Sequence, residues 1–136
     1  VGAGVEIPKE GSVFISVRDT DKQFLSEIVP SLVEEDFKLI ATKGTASVIK
    51  NMGFKVSQIK KVIEGRPNIV DLMKNKEVNL VINTTEGRES ILDSASIRRT
   101  ALDEKICCTT TIKGAKAICE VITKKVDWSY RKLQDI

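Results

Sequence analysis

Asn83-Thr84-Thr85-Glu86-Gly87-Arg88 follows directly on the apolar run Val78-Asn79-Leu80-Val81-Ile82. A buried strand that ends in amides, hydroxyls and a glycine is aimed at a polar ligand, because open parallel sheets bind ligands beyond the carboxyl ends of their strands. Two earlier segments repeat the arrangement. Phe37-Lys38-Leu39-Ile40-Ala41 runs into Thr42-Lys43-Gly44-Thr45, and Lys61-Val62-Ile63 runs into Glu64-Gly65-Arg66-Pro67. Three strand ends rich in hydroxyl, amide, glycine and cation point to one shared anion site. A phosphomonoester fits such a site: it carries close to two negative charges near neutral pH. Compact cations, backbone N–H groups at helix starts and hydroxyl donors satisfy it. Lys22 opens the first helix, and Thr42 and Thr45 bracket Gly44, whose size lets the backbone approach an oxyanion. Lys61 lies near the end of strand three, and Asn83, Thr84 and Thr85 follow strand four.

Each of these residues also has an ordinary reading. A lysine at a helix start is commonly solvated, and Thr-x-Gly-Thr is often only a turn with a cap. Their convergence on one sheet edge is what favours a site. Arg98-Arg99 reads as a solvated helix face, and Arg66 either holds a loop or attracts anions. Asp93 and Asp103 read as cap and surface charges. The glycine-rich signatures of dinucleotide and P-loop sites are absent. The chain has no His, which removes the commonest general base and the commonest transition-metal ligand. Cysteine spacing for zinc is absent as well, so no metal site is expected.

Composition bounds the rest. A chain of 136 residues favours one domain with a single core. A net charge of +3 is too small to argue for nucleic acid, and 4% aromatics leaves little for base stacking. No apolar stretch approaches the roughly 18 residues needed to span a bilayer. Neither nucleic acid nor membrane is therefore expected as a partner. Cys107, Cys108 and Cys119 are an odd set with an adjacent pair, unlike a secreted disulfide framework. They read as small buried hydrophobes in a reducing cytoplasm. Residues 1–11 contain Gly and Pro without periodicity and read as a linker; starting without Met, the sequence is expected to be cut from something longer.

The elements that must position the site follow from periodicity. Residues 13–17 form a short apolar run suited to a buried parallel strand. Asp19, Thr20 and Asp21 offer N-caps for a helix whose apolar residues are Phe24, Leu25, Ile28, Val29, Leu32 and Val33, with Pro30 expected to kink or split it. Strand two covers 37–41, and a helix over 46–52 closes at Gly53. A third strand lies within 55–63. Asn68 caps a helix over 69–76 with Ile69, Leu72 and Met73 on one face. Strand four covers 78–82, and a helix over 94–105 turns Ile97, Ala101 and Leu102 inward. Strand five covers 106–109, and the last helix, over 115–126, has Ile118, Cys119 and Ile122 on its apolar face. This alternation predicts a three-layer α/β/α sandwich with a parallel sheet, and right-handed crossovers place all strand ends on one edge.

The blocks Thr42-Lys43-Gly44-Thr45, Lys61-Val62-Ile63-Glu64-Gly65-Arg66-Pro67, Val81-Ile82-Asn83-Thr84-Thr85 and Ser96-Ile97-Arg98-Arg99-Thr100-Ala101-Leu102 resemble the methylglyoxal synthase-like domain. Within that family the likeness is to the C-terminal allosteric domain of the carbamoyl phosphate synthetase large chain, over about residues 11–125. The resemblance implies a five-stranded sheet ordered 3-2-1-4-5, with residues 1–11 as a linker from a preceding synthetase domain and 12–136 as the domain. It implies a regulatory site for UMP as inhibitor and IMP as activator, with no cofactor or catalytic residue in the domain itself. The parent enzyme would use ATP, Mg or Mn, and K, and would pair with a small glutaminase chain.

Carried over position by position, Ser16, Lys22, Thr42, Thr45, Lys61, Asn83 and Thr85 match the phosphate-binding set. Val62, Ile69 and Ile97 match apolar positions around the base, and Asp93 lies close to the ribose and base region. Thr110 matches a position near an ornithine site at the domain border. The enzymatic branch, methylglyoxal synthase acting on dihydroxyacetone phosphate, is the alternative. It needs a catalytic carboxylate after strand three and a nearby His. Here that loop reads Glu64-Gly65-Arg66-Pro67-Asn68 and no His exists, which argues against lyase activity.

Overall fold

The computed structural model describes residues 11–60, 68–84 and 88–123, the last segment with side chains over 95–122. Five parallel strands form one sheet in the order β3-β2-β1-β4-β5: β1 Ser12–Ser16, β2 Lys38–Ala41, β3 Ser57–Gln58, β4 Leu80–Asn83 and β5 Cys107–Thr109. The helices are α1 Leu25–Glu34, α2 Lys43–Asn51, α3 Ile69–Lys74, α4 Arg88–Glu104 and α5 Ile112–Thr123. A 3-10 turn, Asp19–Phe24, leads into α1.

The central strand explains the layers. Val13, Phe14 and Ile15 are all fully buried, because β1 has a helical layer on each face. Val13 and Ile15 join the core formed with α1, α2 and α5, while Phe14 points to the opposite core, built with Ile69 and Met73 of α3 and Ile97 and Ala101 of α4. The expected sandwich and strand order are both observed. Among the described residues strand three covers Ser57–Gln58, within the expected 55–63, and Lys60 forms an isolated bridge with Asn68; residues 61–63 lie outside the described residues.

Several local expectations are corrected. Asp19 and Asp21 do not cap α1, for the chain enters it through the 3-10 turn and the two carboxylates pair with Lys22 and Arg18 instead. Pro30 does not split α1. Proline inside a helix costs about 3 kcal/mol, but Leu25, Ile28, Val29 and Leu32 are all fully buried on one face, each worth about 1.5–3 kcal/mol. Leu102 is 72% exposed rather than inward. The buried face of α4 is Ile97, Thr100 and Ala101, and a residue five positions past Ile97 lies about 140° round the helix. The start of α4 at Arg88 puts Asp93 inside the helix, not at its cap. Asn68 does cap α3, accepting from Val70 N at 2.9 Å while Asp71 accepts from Asn68 N at 2.9 Å.

The helix-to-strand returns share one device. After α1, α2, α3 and α4 the chain closes with a long backbone bond, from Phe37 N to Leu32 O, Phe54 N to Ile49 O, Glu77 N to Leu72 O and Ile106 N to Ala101 O. Each pivots on a residue with positive φ: Asp36, Gly53, Lys76 and Lys105. The returns occupy the amino-terminal rim, leaving the carboxyl rim to the strand-to-helix connections. Residues 1–10 of the expected linker lie outside the described residues. Gly11 already takes part in the sheet, its carbonyl accepting from Lys38 N at 2.9 Å.

Cys107 and Cys119 are buried in the first core, as small hydrophobes. Burial pushes the Cys119 thiol up from the ordinary 9.0 to about 11. Its Sγ donates to the Ile28 carbonyl at 3.9 Å. No described helix is long and apolar enough to cross a membrane.

Candidate anion site at the carboxyl rim

The rim is assembled from the last rung of the sheet. Ser16 ends β1 and lies in register with Asn83, which ends β4. On the other side β2 ends at Ala41, and Thr42 comes level with Ser16, the two hydroxyls 3.2 Å apart. Beyond the rung, Val17 N donates to Thr45 Oγ1 at 3.2 Å and Arg18 N donates to Thr84 Oγ1 at 3.3 Å, while Thr84 N donates to the Ser16 carbonyl at 2.9 Å. Ser16, Thr42, Thr45, Asn83 and Thr84 are between 2% and 5% exposed. Five polar side chains therefore sit almost fully buried at one end of the sheet. No buried side-chain nitrogen or oxygen among the described residues lacks a hydrogen-bond partner. Thr45 accepts a backbone N–H and keeps its own O–H to donate.

Helix α2 starts three residues earlier than periodicity indicates, because Thr42-Lys43-Gly44-Thr45 is its first turn rather than a loop before it. Thr42 stands at the N-cap with extended backbone, yet its side chain makes no cap bond; the hydroxyl is turned to Ser16. The first amides of a helix have no intrahelical acceptor, so those of α2 remain to meet an anion, with the helix dipole in favour. Lys22 crosses above this turn. A Cβ built on Gly44 would come 3.2 Å from Lys22 Nζ. The Lys22 ammonium also pairs with the exposed carboxylate of Asp19.

Among the expected phosphate ligands, the fold brings Ser16, Lys22, Thr42, Thr45 and Asn83 to one rim. Lys61, Val62 and Thr85 lie outside the described residues, and so does the side chain of Asp93. Ile69 is fully buried and Ile97 is 4% exposed, both inside the α3/α4 core. Thr110 is exposed just past the end of β5, at the same rim. Two contributions escaped the sequence reading: Asp19 as a counterion of Lys22, and Thr84 as the tie between β4 and the Arg18 backbone. Opposite charges three residues apart, Arg18 with Asp21 and Asp19 with Lys22, were the available signal. A cleft of about 300 Å³ flanked by Lys76, Asn79, Glu104 and Lys105 lies at the opposite rim, away from the hydroxyl cluster. No group of residues able to hold a metal ion occurs among the described residues.

The family model of the MGS-like domain matches residues 25–110. The chain belongs to the MGS-like domain family. It is 52% identical over its whole length to the carbamoyl phosphate synthase large chain of Pseudomonas aeruginosa, and 45% identical to that of Halomonas eurihalina. It spans 13% of the length of each of these relatives, so it matches one portion of a far longer chain. A crystal structure of methylglyoxal synthase from Elizabethkingia anophelis superposes with a TM-score of 0.68, covering 86% of this chain and 83% of that one, at 16% identity. At that identity the likeness speaks for the MGS-like fold alone.

Proposed function

We propose that this MGS-like domain is the effector-binding domain of a carbamoyl phosphate synthase large chain, and that its carboxyl rim grips the phosphate of UMP and of IMP. The observation that carries the reading is the cluster of Ser16, Thr42, Thr45 and Lys22 around the uncapped first turn of α2. Hydroxyl protons, helix amides and an ammonium all converge there, the donor set a phosphate dianion needs. The whole-length similarity to large chains supports the regulatory assignment. A shared phosphate grip gives both nucleotides similar sites and leaves the base to set the sign of the effect. The nucleotide shifts synthetase activity through its differential affinity for two enzyme states.

On this reading the domain does no bond-breaking of its own. Catalysis belongs to the remaining domains of the large chain, which use ATP, Mg or Mn, and K, and to a small glutaminase chain that supplies ammonia. Ornithine would act near Thr110, at the border with a neighbouring domain, and the assembly would be cytoplasmic. Titration calorimetry with UMP and IMP tests the site. Lys61→Ala is expected to weaken both by about 1.5–3 kcal/mol, the worth of a charged hydrogen bond; unchanged affinity would remove Lys61 from the site. Incubation with dihydroxyacetone phosphate is the second arm, and methylglyoxal formation above background would overturn the non-catalytic assignment.

A further inference from the structure

The two acidic residues of the 3-10 turn stand in different situations. A 3-10 helix has three residues per turn, so side chains at i and i+3 eclipse. Asp21 thereby meets Arg18, with Nε 2.8 Å from Oδ2, and its side chain is 9% exposed. Asp19 meets Lys22, and its side chain is 91% exposed. The first pair is built into the fold. The second sets an exposed carboxylate against the ammonium that stands over the first turn of α2.

We infer that Asp19 attenuates the anion site: it partly neutralises Lys22 and sets a like charge beside the incoming phosphate, so that affinity lies below what the cradle would otherwise give. This deepens the phosphate-binding reading above and rests on it. The competing possibility is that Asp19 holds Lys22 in place and so favours binding. Burial decides between them. The Lys22 side chain is only 25% exposed and its ammonium lies beside Gly44, so its place over the turn does not depend on Asp19 alone. An ion pair with a partner this exposed is weak and screened, and holds little. Repulsion between that carboxylate and a dianion is screened too, but it is a term that binding adds and the free protein lacks.

Asp19→Asn keeps the shape and removes the charge. In the full chain, inorganic phosphate should bind Asp19→Asn about 3-fold more tightly than wild type at low ionic strength, the scale of an exposed ion pair. The gain should shrink as salt is added. Asp19→Ser should behave alike, and matching melting curves would show that both variants are folded. In a Lys22→Met background the same Asp19→Asn change should give a smaller gain, because its action on the ammonium is gone. Equal or weaker phosphate binding by Asp19→Asn overturns the inference, as does an undiminished gain without Lys22. Wild type that binds no phosphate would instead overturn the cradle itself, a different failure read from a different sample.

Discussion

Gly44→Ala separates what this glycine does for the helix from what it does for a ligand. Gly44 is the second residue of α2, where a glycine costs roughly 0.5–1 kcal/mol relative to alanine in helical backbone. A Cβ there would meet only Lys22, at 3.2 Å from Nζ and 3.8 Å from Cε. The ammonium is the far end of a flexible side chain and can retreat by a few tenths of an ångström. Stability should therefore hold or rise, by up to about 1 kcal/mol, seen as a melting temperature higher by about 2–6 °C. Binding should move the other way. The methyl occupies the space through which an oxyanion reaches the α2 amides, and it displaces Lys22 from that position. Losing one charged hydrogen bond costs about 1.5–3 kcal/mol, or about 10- to 150-fold in the UMP dissociation constant. Thermal unfolding and calorimetry on the same preparation give both numbers. Wild-type affinity in Gly44→Ala would mean that no oxyanion approaches the start of α2. A clear drop in stability would refute the view that this glycine serves access rather than backbone.

Two further expectations concern stability. Gly53 has φ +92° and nothing within 4 Å of a built Cβ, so Gly53→Ala should cost about 1 kcal/mol in urea unfolding from backbone strain alone; Lys76→Gly, at φ 61°, should gain up to about that much, and no difference between the pair would refute the strain argument. The Cys119 thiol has its folded pKa raised to about 11 by burial. The folded chain thus holds that proton more tightly than the unfolded one, so the contribution is full below the ordinary 9.0 and is lost as pH rises through about 11. The stability difference between wild type and Cys119→Ala should accordingly shrink above about pH 9, and a difference that stays flat to about pH 11 would refute it.

Much of the fold was legible because its signals are local and redundant. The runs that became β1 and β4 are apolar whichever way they face, since both faces of a parallel strand are covered, and β2 departs from this only at the exposed Lys38. The Asn68 cap was readable because capping is settled within three residues of chain. Boundaries failed where tertiary contacts overrode local preference. The Thr42 hydroxyl serves Ser16 rather than the helix it opens, and α1 keeps Pro30 because four buried side chains outweigh one missing bond. Leu102 was misplaced because apolar character on a helix fixes a face only together with its neighbours at i+3 and i+4.

The alternation of strands and helices is written in the amino-acid order, and with it the edge where ligand-binding groups must gather. The same order also supplied their chemical kinds: hydroxyls, amides, a glycine and ammonium groups. Which of them meet is settled by the packing of the folded chain. Ser16 and Thr42 are 26 residues apart and their hydroxyls stand 3.2 Å apart, a contact fixed by the register of β1 on β2 and not by any local pattern. The folded structure also turned Asp19 from a helix cap into a partner of Lys22. Charge and residue type are written in the chain, but distance is set by packing, and the energy of an ion pair or a hydrogen bond depends on distance and burial.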